Sequence, residues 1–372
     1  MSVASTVSVR TQARIDALEV RAYKIPTATP ESDGTLAWDA TTLVYVEIHA
    51  GGQTGIGFTY ADIGTAKLID SLLRATIVGA DALQIGARWN DMFRATRNLG
   101  HDGMTAMAIS AVDVALWDLK GKILGVPTYA LLGTVGESVP VYGSGGFTAY
   151  SQEQLCAQVA GWVEDGIPRV KMKIGRDPAA DVARVAAARR AIGEDAELFV
   201  DANGAYGVQQ AIDQAHRFAE QRVTWFEEPV FREDYAGTRR VRERVPPGME
   251  ISDGEYGYGL YEFARMIEAQ MLDVLQADAT RCGGFSGLLA VDGLAQSTMT
   301  PLSTHCAPHL HLHAALACKQ LRHIEYFYDH YRIEQMLFDG ASAPVGGRLS
   351  VDPDRPGIGL ELRRADAERY LI

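Results

Sequence analysis

The chain has 372 residues, of which 47% are hydrophobic and 22% are charged. These fractions are ordinary for a soluble globular protein, and the length suits one large domain together with a smaller one. The formal net charge of -12 argues against nonspecific binding to nucleic acid or to acidic membrane surfaces, so an anionic substrate would need local positive charge from a metal ion or from lysines.

About the first 15 residues are polar and are expected to form a poorly ordered lead-in. They lack the apolar core of a secretion signal, and no stretch of the chain approaches the roughly 18 uninterrupted apolar residues of a membrane span. The four cysteines show no paired spacing, which predicts free thiols. These observations predict a cytoplasmic protein.

The next segment has the pattern of strands. Apolar residues alternate from Ile15, and again from Leu43 to Ile48 before Gly51-Gly52, which predicts a strand and then a hairpin. The intervening stretch from Pro26 to Trp38 contains prolines and a glycine among polar residues. It is predicted to be a long loop, either a mobile lid or a solvated connection.

A helix is predicted from Met104 to Ile123, where apolar residues recur at intervals of three and four. Gly125 and Pro127 supply its stop signal. Residues 1–135 are therefore expected to form an α+β domain.

After Gly136 the sequence alternates between short apolar strands and helical stretches. A strand at Val139 to Tyr142 comes first, Ser151 and Gln154 form a capping box, and Pro178 to Ile192 is a helical stretch. The strands that follow are VKMKI, ELFVDAN, VTWFEEP, MEISDGE, VLQADA, PLSTH and HIEYF. Seven or eight strands alternating with helices favour a parallel barrel over 136–345, with a tail at 346–372 that returns to the N-terminal domain.

Charged residues recur where these strands end, about every 20 to 28 residues from Lys173 onward. A strand-plus-helix unit of a (β/α) barrel takes roughly 31 residues, and the carboxyl ends of all its strands meet at one face. We therefore expect these side chains to converge in one site. The set comprises Lys171, Lys173, Asp201, Glu227, Glu255, Asp278, His305 and Glu325.

Lys171 and Lys173 are two residues apart, so on a strand they point to the same side. One ammonium lowers the pKa of the other, which would make a lysine a general base near neutral pH. The alternative is a solvated pair on an edge strand.

Asp201, Glu227 and Glu255 end three successive strands. Three clustered carboxylates repel one another without a cation, and Mg²⁺ favours such oxygen ligands. Each residue alone would more simply be a helix cap or a surface residue, but the three in register favour a metal site. The absence of histidine disfavours zinc. Asn203, expected on the same strand face as Asp201, adds a polar group beside the metal for substrate binding.

Asp278 and His305 end the next two strands, where the aspartate could orient the imidazole and raise its basicity. A lone histidine is more often structural, but this one lies across the barrel from the lysine strand. Glu325, on the last strand, is expected either to hydrogen-bond to a substrate oxygen or to be a buried partner of His323 or of an arginine.

Taken together, these motifs resemble the enolase superfamily, in its mandelate racemase subgroup, over nearly the whole chain. The resemblance is carried by AISAVDVALWDLKGKILGVP at 108–127, the Lys171-Met172-Lys173 pair, DANGAY at 201–206, WFEEP at 225–229, DGE at 253–255, and Asp278 with His305. It implies a modified (β/α)7β barrel with an N-terminal capping domain that the C-terminal tail completes.

The resemblance also implies a mechanism, in which a Lys or His base acts with Mg²⁺. Mg²⁺ would be held by Asp201, Glu227 and Glu255. Lys173, tuned by Lys171, would be one base, and His305, activated by Asp278, would be the other. Glu325 would hydrogen-bond to the enolate oxygen. The reaction is removal of the proton α to a carboxylate to give a metal-stabilised enediolate.

By analogy with relatives that carry both bases, we expect β-elimination of water from an acid sugar, with His305 as general acid. The alternative is a racemase or epimerase of a 2-hydroxy acid. Neighbouring cycloisomerases normally carry a lysine on the sixth strand, where this chain has Asp278, and this weighs against lactonisation. The resemblance implies a small carboxylate substrate, selected mainly by capping-domain loops at Pro26 to Trp38 and Phe58 to Asp62, and a homo-oligomer.

Two other kinds of barrel fit the sequence less well. A histidine-rich metal-dependent hydrolase needs a His-x-His pair on the first strand, and VPVYGSGG has none. A catalytically silent barrel used for binding would be expected to have lost a ligand or a base. His309, His311 and His313 could touch a polyol or a second metal, but packing or surface roles on the helix after strand seven are the better prediction.

Overall fold

The N-terminal domain is a three-stranded antiparallel sheet covered by helices. The computed structural model describes residues 13–372, so most of the predicted polar lead-in lies outside the described residues. The strands are β1 (Ile15–Ser32), β2 (Ala37–Ala50) and β3 (Gln53–Tyr60), in that order. The helices are α1 (Ile63–Leu68), a π-helical turn (Ile69–Leu73), α2 (Arg74–Ile77), α3 (Ile85–Ala95), α4 (Met104–Leu124) and α5 (Thr128–Leu132).

Helix α4 is the buried axis of this domain. It begins at the predicted Met104 and ends one residue after the predicted Ile123, because Gly125 adopts the left-handed conformation at φ 68° and stops the helix. It lies directly on β3. A Cβ at Gly55 would come within 2.3 Å of the carbonyl oxygen of Ala115, and one at Gly57 within 2.1 Å of that of Ala111. The two glycines therefore allow the helix backbone to contact the sheet.

The prediction of a loop from Pro26 to Trp38 is wrong for most of this segment. β1 continues to Ser32, and only a tight turn separates it from β2. The pairing register shifts between Pro26 and Glu31, after which Glu31 pairs with Trp38. Because β1 is an edge strand, its prolines interrupt the ladder locally without ending the strand.

The second part of the chain is a closed barrel of eight parallel strands. In spatial order these run β11-β10-β9-β8-β7-β6-β5-β4, and β11 also pairs with β4. The strands are β4 (Ser138–Gly145), β5 (Arg169–Lys173), β6 (Glu197–Asp201), β7 (Val223–Glu227), β8 (Glu250–Asp253), β9 (Val274–Ala277), β10 (Leu302–Thr304) and β11 (Leu321–Phe327).

One helix lies between each pair of successive strands, so the predicted (β/α)7β barrel with its capping domain is confirmed. These helices are α6 (Gln152–Glu164), α7 (Pro178–Ile192), α8 (Val208–Ala219), α9 (Tyr235–Arg242), α10 (Leu260–Glu268), α11 (Gly284–Thr298) and α12 (Pro308–Ala315). The predicted capping box is present, since the hydroxyl of Ser151 accepts from the Gln154 N–H and the Gln154 side chain accepts from the Ser151 N–H.

Aromatic residues fill the barrel interior. Tyr142, Phe199, Trp225 and Val274 form a buried cluster, with the Phe199 and Trp225 rings stacked at 5.1 Å. The Trp225 indole N–H donates to Oε2 of Glu227 at 2.9 Å. This packed layer gives the charged side chains at the strand ends a rigid, water-excluding support.

The C-terminal segment runs from the barrel back to the capping sheet. It comprises α13 (Tyr328–Leu337), β12 (Phe338–Asp339), β13 (Arg348–Ser350), β14 (Glu361–Leu362), α14 (Arg364–Ala367) and a 3-10 turn (Glu368–Tyr370). β13 pairs with the start of β4, and the N–H of Ile372 donates to the carbonyl of Ala22 at 3.0 Å. The domain bounds at 135 and 345 stay a prediction.

Cys156, Cys282, Cys306 and Cys318 are all free thiols, as predicted. Among residues 13–372, no helix combines the length and apolarity needed to cross a membrane. Cytoplasmic location stays a prediction.

Candidate active site

The predicted charged residues converge at the carboxyl ends of the barrel strands. Asp201 and Glu227 are the last residues of β6 and β7, Asp278 and His305 follow β9 and β10 by one residue, and Glu325 lies within β11. All eight side chains of the predicted set are buried, with residue exposures from 0% to 6%. The predicted convergence is therefore present in the fold.

The two lysines point into the barrel and pair with carboxylates, so the edge-strand alternative does not apply. The Lys171 ammonium contacts Glu227 and lies 2.8 Å from Oε1 of Glu325. Lys173 donates to Oδ2 of Asp201. Burial and the Lys171 ammonium lower the pKa of Lys173, but the Asp201 carboxylate outweighs them and the pKa is raised. In this arrangement Lys173 is a charged partner of Asp201.

Asp201, Glu227 and Glu255 form a three-carboxylate cradle, with one oxygen of each lying within 4.8 Å of the others. Octahedral Mg²⁺ at about 2.1 Å from its ligands requires oxygens roughly 3 to 4 Å apart, so small side-chain movements would suffice. Oε2 of Glu255 is buried without a hydrogen-bond partner. A buried carboxylate that has an unpartnered oxygen and clusters with two further carboxylates fits a hard divalent cation.

Two further carboxylates border the cradle, and the sequence did not single them out. Glu228 and Asp253 are 2% and 1% exposed. Burial, followed by the charge of Glu255, raises the pKa of Asp253 to about 8 and that of Glu228 well above its usual range. Five acidic side chains crowded in one buried region add to the case for a cation there.

Asn203 lies in the loop after β6, with φ 46°, so the argument that it shares a strand face with Asp201 is wrong. Its N–H nevertheless donates to Oδ1 of Asp201 at 2.9 Å. Its side-chain Oδ1 is buried and has no hydrogen-bond partner. Its Nδ2 donates to Oε2 of Glu228 at 3.5 Å, so the amide oxygen is the atom that remains free to bind a ligand beside the cradle.

Asp278 and His305 form the expected pair, because β9 and β10 are neighbours in the sheet. Nδ1 of His305 lies 2.8 Å from Oδ2 of Asp278. The ring therefore carries its proton on Nδ1, and Nε2 faces Sγ of Cys306, 3.1 Å away, and Oε2 of Glu255, 3.5 Å away. Burial raises the pKa of Asp278, but hydrogen bonding to His305 and the nearby His311 outweigh it, so Asp278 stays ionised.

Glu325 is held as a hydrogen-bond acceptor. Its Oε1 accepts from the hydroxyl of Ser144 at 2.6 Å and contacts Lys171, and its Oε2 accepts from the N–H of Cys306 at 2.7 Å. It is not paired with His323, which contacts the hydroxyl of Ser303 instead. A role as donor to a substrate oxygen would need a proton that these contacts do not supply.

The tip of the β1–β2 hairpin lies over the barrel mouth. The hydroxyls of Ser32 and Thr148 are 2.6 Å apart, which ties the tip to the loop after β4. A Cβ at Gly34 would come within 2.3 Å of the carbonyl oxygen of Ala202 and 2.8 Å of that of Ile174. The hairpin therefore rests directly on the loops that follow β5 and β6.

The three later histidines have packing roles, as favoured from the sequence. His309, His311 and His313 are each at most 3% exposed. Nδ1 of His309 pairs with Glu334 at 2.6 Å, and Nε2 of His311 accepts from the N–H of Ala279 at 2.7 Å. Their ring nitrogens are thus used within the fold.

The residues missed from the sequence have local physical reasons. Glu228 follows Glu227, and strand alternation would direct it away from the site. Its φ of 39° breaks that alternation. Ser144 reaches the site through barrel closure, and Cys306 reaches it because its own backbone is left-handed, at φ 51°. Glu228 is part of the WFEEP motif, but nothing in the sequence predicts the left-handed backbone of Glu228 or of Cys306.

Two family models match the chain in succession. The mandelate racemase / muconate lactonizing enzyme N-terminal domain matches residues 18–133. The enolase C-terminal domain-like model matches residues 154–367.

Curated relatives align over nearly full length. The chain is 34% identical to a 3,6-anhydro-alpha-L-galactonate cycloisomerase of Streptomyces coelicolor, covering 94% of this chain and 97% of the relative. It is 30% identical to the L-talarate/galactarate dehydratase of Salmonella typhimurium, covering 94% and 89%.

Solved structures of the same family superpose on the chain over nearly its whole length. A mandelate racemase/muconate lactonizing enzyme-like protein from Rubrobacter xylanophilus superposes with TM-score 0.95 at 50% identity, over 96% of this chain and 100% of that one. A racemase from Streptomyces coelicolor with bound magnesium superposes with TM-score 0.90 at 32% identity, over 96% and 100%. The chain is therefore an enzyme of the enolase superfamily and belongs to its mandelate racemase / muconate lactonizing enzyme group.

Proposed function

We propose that this enzyme removes the proton α to the carboxylate of an acid sugar and then eliminates water from the β position. The observation that carries the proposal is the Asp278–His305 pair, 2.8 Å apart, across the barrel mouth from Lys173. The relatives named as acid-sugar dehydratases support the second step.

The cradle of Asp201, Glu227 and Glu255 would hold Mg²⁺, as magnesium is bound in related structures. The ion would supply positive charge that binds the substrate carboxylate and acidifies its α proton. Asp201 is the main influence that raises the pKa of Lys173, so with Asp201 engaged in the cradle, burial and the charge of Lys171 would lower this pKa against only the weaker effects of Glu255 and Glu325. Lys173 would then act as the base at one face of the substrate.

His305 would serve at the other face. Asp278 accepts the Nδ1–H and would stabilise an imidazolium, so His305 would enter the reaction protonated at Nε2 and give that proton to the β-hydroxyl as it leaves as water, while Lys173 takes the α proton. Asn203 would hydrogen-bond to the substrate through its unpartnered Oδ1. Glu325 would position Lys171 through Oε1, and its donation to a substrate oxygen stays a prediction.

Two other outcomes of the same proton abstraction have support. A cycloisomerase is among the relatives, at 34% identity, so this reaction class is retained although the missing lysine on the sixth strand weighed against it. Return of a proton by the opposite base would give a racemase or epimerase, and one related structure is named a racemase. A silent barrel is disfavoured because the bases and the cradle are all present.

A library of acid sugars that includes galactarate, L-talarate and 3,6-anhydro-galactonate tests the proposal. Proton NMR in D₂O combined with mass spectrometry distinguishes the outcomes. A keto-deoxy acid formed with loss of water marks dehydration, and deuterium at the α carbon of an otherwise unchanged acid marks racemisation or epimerisation. An isomeric product formed without loss of water, such as the keto-deoxy acid from opening of the ring ether of a 3,6-anhydro sugar, marks cycloisomerisation. Absence of both keto acid and α-deuterium across the library would contradict α-proton abstraction. We also propose that the enzyme forms a homo-oligomer and that it has no nucleic acid or membrane partner, and this experiment does not bear on either point.

A further inference from the structure

Next to the magnesium cradle, a second and chemically softer set of ligand atoms converges. Nε2 of His305, Sγ of Cys306 and a carboxylate oxygen of Glu325 all lie within 4.8 Å of one another, and all three residues are buried. The Nε2–Sγ distance is 3.1 Å, and Nε2 lies 4.0 Å from Oε2 of Glu325. A nitrogen, a sulfur and an oxygen ligand are therefore present without the long-range rearrangement of any element.

These separations suit a tetrahedral ion. With bonds of about 2.0 Å to nitrogen or oxygen and about 2.3 Å to sulfur, a Zn²⁺ ion requires ligand atoms roughly 3.3 to 3.6 Å apart. The measured distances of 3.1 and 4.0 Å lie on either side of this range. Shifts of about half an ångström in the side chains would be enough.

The histidine is already prepared as a ligand. Metal-binding histidines commonly donate their second ring N–H to a carboxylate, which fixes the tautomer and strengthens the ligand. Here Asp278 accepts from Nδ1, so the free lone pair of Nε2 is directed towards the Cys306 thiol. Lys171 contacts the other oxygen of Glu325, Oε1, whereas Oε2 accepts the N–H of Cys306 and keeps a second lone pair for an ion.

We propose that His305, Cys306 and Glu325 form an inhibitory site for Zn²⁺ or another thiophilic divalent cation, distinct from the carboxylate cradle. Thiolate and imidazole select such ions over Mg²⁺. As the metal–sulfur bond forms, the thiol releases its proton to solvent. The binding site rests on this geometry alone, whereas its inhibitory effect rests on the role proposed above for Nε2 of His305, which the ion would occupy.

Cobalt(II) provides a readout that is independent of catalysis. Added to the wild-type enzyme saturated with Mg²⁺, it should produce thiolate-to-cobalt charge-transfer absorption in the near ultraviolet. Cys306→Ser, which keeps the side-chain volume, and Cys306→Ala should both lack this absorption. Cys156→Ala, a substitution on α6 outside the site, should retain it. No thiolate absorption in the wild type at saturating cobalt would overturn the site.

Zinc inhibition is the second readout, measured at saturating Mg²⁺ and relative to the uninhibited rate of each variant. Loss of the sulfur ligand should raise the half-inhibitory Zn²⁺ concentration about tenfold or more in both Cys306 variants. Equal values in wild type and variants would show that zinc acts at the carboxylate cradle, which overturns the inhibitory role. Cobalt–thiolate absorption in a protein with no acid-sugar turnover would leave the site standing and contradict the proposed function.

Discussion

The carboxylate of Asp278 holds the imidazole of His305 through a 2.8 Å contact between Oδ2 and Nδ1, across the neighbouring ends of β9 and β10. An asparagine at position 278 can donate to Nδ1 and so stabilise the wrong tautomer, with the proton on Nε2. We expect Asp278→Asn to lower kcat by about a hundredfold or more while KM changes little. Steady-state kinetics on the best acid sugar provide the check. An unchanged kcat would separate Asp278 from the chemistry.

The two proposed bases can be separated by isotope exchange. Lys173→Ala and His305→Asn should each abolish proton exchange at one face of the α carbon, and both should abolish net turnover. Proton NMR in D₂O with each enantiomeric or epimeric substrate measures the exchange. If both variants retain exchange and turnover, the scheme with two bases is wrong.

The cradle predicts a strict metal requirement. Chelation by EDTA should abolish activity and Mg²⁺ should restore it, because three clustered carboxylates otherwise carry no counter-charge for the substrate. Glu255→Gln should weaken Mg²⁺ binding in a titration followed by calorimetry, since it removes the carboxylate with the unpartnered Oε2. Full turnover in metal-free buffer would contradict the metal assignment.

The hairpin contact at Gly34 should control how the barrel mouth closes. An alanine there would place its Cβ within 2.3 Å of the Ala202 carbonyl oxygen, so the tip must lift. We expect Gly34→Ala to lower kcat/KM about tenfold or more, since displacement of about 1 Å near a site is costly. Gly86→Ala, whose Cβ meets no atom within 4 Å, is the matched control. Equal kcat/KM in both variants would show that the hairpin is not coupled to the site.

Asp113 predicts a pH dependence of stability at the contact between α4 and α11. Its carboxylate accepts from the N–H and the hydroxyl of Ser286, and burial raises its pKa from 3.8 to about 7. The folded state therefore keeps a proton that the unfolded state releases. The associated stabilisation is complete below about pH 4 and is lost as the pH rises to about 7.

Asp113→Asn stays neutral at every pH and so isolates this effect. The free energy of unfolding of Asp113→Asn minus that of the wild type should rise between about pH 4 and pH 7. For a pKa shift of this size the rise is at most roughly 4 kcal/mol. Urea unfolding of both proteins across this range measures the difference. A difference that does not change with pH would mean that Asp113 is ionised in the folded protein.

Most of the barrel could be predicted because its strands are apolar runs with a charged residue at a regular interval. Asp201 and Glu227 show the strength of this signal, since both end their strands as expected. The start of the edge strand β1 was predicted, but its continuation from Pro26 to Ser32 could not be, because prolines that stop most strands are tolerated at a sheet edge.

The details within the site depended on backbone angles and on ring closure. The left-handed conformations of Glu228 and Cys306 direct a second carboxylate and a thiol into the site, and neither follows from residue type. The hydrogen bond from Ser144 to Glu325 joins positions 181 residues apart and exists only because the first and last strands pair. Such contacts require the three-dimensional register.

That same pairing of β4 with β11 affects synthesis of the chain. At roughly 5 to 20 residues per second, about 10 to 40 s separate the emergence of Ser144 from that of Glu325. During this interval the ring lacks its last strand, and β4 has an open edge with unpaired backbone groups. The nascent protein therefore holds its lysines and carboxylates in an incomplete ring, and protection of that edge before closure becomes a condition for obtaining active enzyme.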